Sequence, residues 1–133
     1  MKQELDALLC QRYPLIFAER NLSVKETCMC WGFACGDGWF DLIDALCERL
    51  QSWTDRNGAP QVVAMQVKEK NGGLSFYPRG KVSQEQRGMI WMAEAMSFRI
   101  CDQCGNPGKK LVHEHCHMTR CTDHAPLSPT SLP

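Results

Sequence analysis

Gln61-Val62-Val63-Ala64-Met65-Gln66-Val67-Lys68-Glu69-Lys70-Asn71-Gly72-Gly73-Leu74-Ser75-Phe76-Tyr77 decides the fold class of this chain. Its period is close to 2. Val63, Met65 and Val67 fall on one face of an extended segment, and Gln66, Lys68 and Lys70 on the other. Asn71-Gly72-Gly73 then supplies residues that accept positive φ, which a tight hairpin turn requires. Leu74 to Tyr77 reads as the returning strand. A β-hairpin over 61–80 follows, with Val67 and Phe76 in the core and Lys68 and Lys70 outside.

Outward from the hairpin, both flanks are helical. Upstream, Trp39, Leu42, Ile43, Leu46, Leu50 and Trp53 repeat at helical spacing, with Asp41, Asp44 and Glu48 off that stripe. Asp37 reads as the N-cap and Asn57-Gly58 as the stop. Residues 3–12 form a shorter helix, with Leu5, Leu8 and Leu9 at i, i+3, i+4 and Pro14 as its breaker. Leu15, Ile16 and Phe17 then bring apolar bulk to the core. Residues 20–36 show no period and read as irregular. Downstream, Ser83-Gln84-Glu85-Gln86 has the form of a capping box and opens a helix to about Arg99. Met89, Met92, Met96 and Ile100 lie along one side of it, widened by Trp91, Ala95 and Phe98. Core packing is the first reading of the three methionines, and contact with a partner the second.

The expected fold is therefore α+β: one small domain over 1–125, with helices packed on a hairpin. Residues 1–60 are mainly helical, 61–80 the hairpin, 83–99 a helix and 101–124 a metal-binding, zinc-ribbon-like region. The Pro/Ser/Thr-rich segment 126–133 reads as a flexible tail. A chain of 133 residues suits one domain. No internal repeat is present.

Charge limits the classes of partner. Fifteen Lys/Arg balance fifteen Asp/Glu, with six against nine in residues 1–60 and nine against six in 61–133. A dedicated nucleic-acid binder carries a stronger basic surplus. No apolar run approaches the roughly 18 residues that cross a bilayer, so no membrane association is expected. The N-terminus lacks the layout of a signal peptide. Nine cysteines without a secretion signal point to a reducing compartment, the cytosol, where close cysteine pairs serve metals more often than disulfides.

The clearest chemistry is Cys101-x2-Cys104, sixteen intervening residues, then Cys121-x2-His124. Two residues between paired ligands let a tight turn aim both at one ion, and Gly105 suits the backbone of such a knuckle. Three thiolates and an imidazole match tetrahedral Zn2+, and four protein ligands close the shell, which makes the site structural. Cys116, or one of His113, His115 and His117, is a competing ligand; His113-x-His115-x-His117 would align three imidazoles on one face of a strand. Cys28-x-Cys30 with Cys35 and Cys47 could form a second site, although C-x-C is uncommon for structural zinc. Cys10 and Cys47 read as core or boundary residues.

Other chemistries lack their parts. A nucleophilic cysteine needs a base and an orienting group, and every histidine lies within 113–124. No catalytic residue and no organic cofactor site is assigned, and the chain is not expected to be an enzyme. Asp37, Asp41 and Asp44 read as a solvated helix face. Gly36-Asp37-Gly38 and Gly72-Gly73 are too short for phosphate loops. Lys68, Lys70, Arg79, Lys81, Lys109 and Lys110 could form a basic strip, with Phe76 and Tyr77 placed to stack on bases. Nucleic acid is thus the second partner class, behind protein.

Three segments together carry a resemblance: Cys35-Gly36-Asp37-Gly38-Trp39-Phe40 with Leu42-Ile43, Val67 to Tyr77, and the two ligand pairs with Gly105. Over roughly residues 33–125 the chain resembles a group of small uncharacterised proteins of bacteria, phages and prophages. In that group the hairpin has an aromatic where this chain has Asn71 and Arg where it has Ser75. The resemblance implies the Cys/Cys/Cys/His metal site and a mobile-element setting. From that setting comes the expectation of a phage-type protein that binds and modulates a host protein, such as a defence factor. It supplies no substrate.

Overall fold

Asn71 and Gly72 both adopt positive φ, 51° and 89°, and join two antiparallel strands through a two-residue turn. The strands are β2 (Ala64–Lys70) and β3 (Gly73–Pro78). The computed structural model describes residues 1–127 and the backbone of 130–131.

The hairpin's facing differs from the expected one. Val62, Ala64 and Val67 are the buried residues of this arm, whereas Val63 and Met65 are only half-buried. The register explains it: Ala64 pairs with Pro78 and Gln66 with Tyr77, so Met65 is an extra residue on β2. A bulge of this kind flips the side-chain phase, so residues on its two sides obey opposite parities. The Thr27 hydroxyl donates to the Met65 carbonyl at 3.2 Å. Val67 and Phe76 are buried, as expected.

β1 (Phe33–Ala34) is a short strand inside the segment read as irregular. It pairs parallel to β2, Phe33 against Val67, which gives a sheet of order β1-β2-β3. Two residues are too few for a period to show. The crossover from β1 to β2 is α2 (Phe40–Asn57), whose C-terminal Gly58 adopts φ 64°. A one-turn 3-10 segment, Asp37–Trp39, precedes it. Asp37 is not the N-cap. Its carboxylate instead accepts the backbone N–H of Lys2 at 2.7 Å. Asp44 is not simply solvated either, because it accepts the Tyr13 hydroxyl at 2.7 Å and pairs with Arg12.

α1 (Gln3–Arg12) ends before Pro14. Ile16 and Phe17 enter the core, but Leu15 stays exposed. Phe17 packs edge-on against Phe33, ring centroids 4.9 Å apart. These residues join Leu9, Met29, Trp39, Ile43, Leu50 and Ile90 in one apolar cluster.

α3 (Gln84–Ser97) begins with the expected capping box between Ser83 and Gln86. Its buried face, however, is Gln86, Ile90, Ala93 and Ser97, not the methionine stripe. Two polar groups of this helix cap the outer edge of β3. The Ser97 hydroxyl accepts the Leu74 N–H at 2.7 Å, and Glu94 accepts that of Phe76 at 2.9 Å. The Gln86 amide donates to Thr54 Oγ1 and to the Pro60 carbonyl. Edge N–H groups and a loop carbonyl therefore select the inward face, because leaving them unpaired would cost more than exposing thioethers. Met92 is 63% exposed and Met96 41%, so core packing fails as the reading of these two; Met89 is half-buried.

The remaining strands form a second sheet of order β5-β4-β6: β4 (Lys109–His113), β5 (Cys116–Arg120) and β6 (Thr130–Ser131). Thr130–Ser131 pair with Val112 and Leu111, so this part of the expected flexible tail is an added strand. Residues 128, 129, 132 and 133 of that tail lie outside the described residues. No helix among the described residues is long and apolar enough to cross a membrane.

Candidate metal centre

The two ligand pairs come from two turns. Cys101 and Cys104 lie in the knuckle that follows α3, and Cys121 and His124 in the turn after β5. In the first, Gly105 takes φ 81° and its N–H donates to the Cys101 carbonyl at 2.9 Å. In the second, the His124 N–H donates to the Cys121 carbonyl at 3.2 Å. The hairpin β4–β5 joins the turns and superposes their open sides.

The four ligand atoms lie within 4.8 Å of one another. Cys104 Sγ is 3.7 Å from Cys121 Sγ, and His124 Nδ1 is 3.7 Å from Cys101 Sγ and 3.2 Å from Cys121 Sγ. A tetrahedral ion with ligand bonds of about 2.0–2.3 Å separates its ligands by roughly 3.5–3.8 Å. The cluster thus fits a metal ion, and the residues form no disulfide. Cys101 and Cys121 are buried, while Cys104 and His124 face outward. Burial alone would raise the Cys101 thiol, but the backbone N–H groups of Cys121, Gln103 and Cys104 bring it down to about 7. That favours the thiolate a metal needs.

The rival ligands stay apart. The segment 113–117 is not one strand: Glu114 and His115 take φ 48° and 66° and form the turn between β4 and β5. The turn destroys the single face that would have aligned three imidazoles. His115, Cys116 and His117 are exposed. Among the described residues, Cys28, Cys30, Cys35 and Cys47 do not gather into a ligand group. Cys47 is fully buried, and burial pushes the Cys35 thiol up to about 12.

Sequence reading missed what seats this knuckle. Gly36 and Gly38 lie directly against it. A Cβ on Gly36 would fall 1.9 Å from the Asp102 carbonyl oxygen, and one on Gly38 2.1 Å from that of Cys101. The Gly38 N–H donates to the Asp102 carbonyl at 2.9 Å, and the Trp39 indole N–H to the Ile100 carbonyl at 2.9 Å. Gly36-Asp37-Gly38 directly before an aromatic was the available signal, because two glycines so close together leave the backbone bare for close approach.

Thr119 ties the metal end to the body, and Asp102 and Arg120 brace it from within the end. The Thr119 hydroxyl, fully buried, donates to the Gly72 carbonyl at the hairpin turn at 2.6 Å. The Asp102 N–H donates to the Thr119 carbonyl at 3.0 Å. Arg120 Nε lies 2.6 Å from Asp102 Oδ1, an ion pair whose N–H is not aligned for a hydrogen bond.

No family model, no curated protein and no solved structure matches this chain. The site is read from its own geometry.

Proposed function

We propose that this chain is a non-enzymatic, zinc-stabilised protein that works by binding another protein. The carrying observation is the outer face of α3. Trp91 and Met92 are each 63% exposed and Met96 41%. Beside them, Leu42, Ala45, Leu46 and Met89 line an apolar groove of about 430 Å³ between α2 and α3. Large aromatic and thioether side chains in one exposed patch are the anchors of protein interfaces.

Zinc is the metal we assign to the cluster, because three sulfurs and one imidazole at tetrahedral spacing suit it best among common ions. All four positions are taken by protein, so the ion holds structure and binds no substrate. The half-buried Cys10 fits the non-enzymatic reading: partial burial and the nearby Asp6 carboxylate push its thiol up to about 11, which leaves it a poor nucleophile. The resemblance to phage and prophage proteins makes a bacterial host protein, such as a defence factor, the proposed target, met in the host cytoplasm.

Nucleic acid is the alternative, and the strip that motivated it is depleted. Phe76 is buried and cannot stack on a base. Arg79 is held by Glu19 in a two-pronged ion pair. Lys110 sits over the Phe98 ring at 4.9 Å. A host lysate passed over the immobilised full chain should yield a protein retained by the wild type and released by Met92→Glu. Submicromolar binding to DNA or RNA that falls steeply with salt would overturn this reading.

A further inference from the structure

We infer that the metal cluster is an oxidant-sensitive latch: peroxide joins Cys104 to Cys121 in a disulfide, and the metal end lets go of its ion while the body stays folded. The inference rests on the reading that the cluster holds zinc, and it adds a regulation of that site.

Exposure is the first ground. Of the nine cysteines, three are exposed: Cys28, Cys104 and Cys116. Of those three, Cys104 alone belongs to the cluster. A thiol bound to a metal is deprotonated outright, and susceptibility to oxidation follows thiolate character and exposure together. Cys104 combines the two, whereas Cys101 and Cys121 are buried. Peroxide reaches its sulfur without any opening of the fold. Burial meanwhile raises the thiols of Cys10, Cys35 and Cys47, which keeps them protonated and slow to react.

The second ground is a partner sulfur already in contact. Cys104 Sγ lies 3.7 Å from Cys121 Sγ, on the other turn. Side-chain rotation at the two residues is enough to bring the sulfurs to bonding distance. Cys101, the closer neighbour in sequence, is fully buried and turns its sulfur to His124 Nδ1 at 3.7 Å. The chemistry balances with hydrogen peroxide as the oxidant. The Cys104 thiolate takes one oxygen from it, becomes a sulfenic acid and releases hydroxide. The Cys121 thiolate then attacks that sulfur, forms the S–S bond and expels a second hydroxide. Two electrons pass from two sulfurs to one peroxide. Cys101 and His124 remain, too few ligands to close a tetrahedron around a divalent ion.

The third ground is what stays attached. Asp102 already joins the two turns, through its N–H to the Thr119 carbonyl and its ion pair with Arg120. The new bond would join the same two turns. The Gly38 N–H still seats the knuckle on the body through the Asp102 carbonyl. Residues 101–127 therefore loosen without leaving the body, and reduction by a thiol returns four ligands to one place.

The test treats the zinc-loaded full chain with a small molar excess of hydrogen peroxide. It uses a Cys28→Ser, Cys116→Ser parent, which lacks the other exposed thiols. Zinc release to a chromogenic indicator is followed beside peptide mapping of disulfides. Free zinc and the Cys104–Cys121 disulfide should appear in equal amounts, and a dithiol with added zinc should restore the loaded form. Hydrogen exchange should quicken in residues 101–127 and stay unchanged in α2. Cys104→His, which puts a nitrogen ligand in place of the exposed sulfur, should load zinc and keep it under the same peroxide; should it not load, the disulfide map of the parent decides alone. A parent that keeps its zinc, or loses it through any other pairing, overturns the inference and leaves the zinc reading standing. Protein that carries no zinc as purified sinks the zinc reading, and the inference with it.

Discussion

The helix–hairpin body and the metal-binding end are held by different means. In the body, one apolar cluster runs from Leu9 through Trp39, Ile43 and Val67 to Ile90. In the end, residues 101–127, the buried apolar side chains are Leu111 and the ligands Cys101 and Cys121; Asp102 and Thr119 are buried beside them. Short hairpins with so little apolar area do not fold alone. The difference teaches what a metal in the cluster would do: it would substitute for a core the end lacks, while the body already has one.

Removing the metal should therefore separate the two regions more than any substitution. Chelation should leave α2 and the hairpin protected from hydrogen exchange and expose the amides of residues 101–127. Binding of about 10 kcal/mol or more is at stake for sites of this kind. Uniform loss of protection across the chain would show that the body also depends on the ion.

Phe76→Ala strikes the other side of the comparison. It should cost about 3–5 kcal/mol in denaturant unfolding and leave zinc content unchanged. A loss below about 1 kcal/mol would place Phe76 outside the core.

Gly38→Ala probes the seam between the regions. The new methyl group would overlap the Cys101 carbonyl, so a loss of about 1–3 kcal/mol is expected, with faster zinc release to a chelator. Unchanged release kinetics would mean that the knuckle does not lean on the glycines. The smallest effect belongs to Thr119→Val, which strands the Gly72 carbonyl at roughly 1–2 kcal/mol. Its readout is weaker coupling: chelation should disturb the hairpin turn less than in the wild type.

Much of this plan was legible in the residues. Asn71-Gly72 announced its turn, the Ser83–Gln86 box its helix, and the pairs 101/104 and 121/124 their cluster, because each is a local rule with a short reach. Three features were not legible. The bulge at Met65 reverses facing without altering composition. β1 is two residues long and exists only because β2 lies alongside it. The inward face of α3 is selected by the edge of β3, a strand distant in sequence, so hydrophobic weight alone pointed to Met92 and Met96. The glycines at 36 and 38 belong with these, since their partner carbonyls lie more than sixty residues downstream.

Elemental analysis bears most directly on the claim that Cys101, Cys104, Cys121 and His124 hold one structural zinc. Protein purified without added metal should carry one zinc per chain, and a Cys101→Ser, Cys104→Ser double variant should carry none while α2 and the hairpin stay folded. Full zinc occupancy in the double variant would contradict the account.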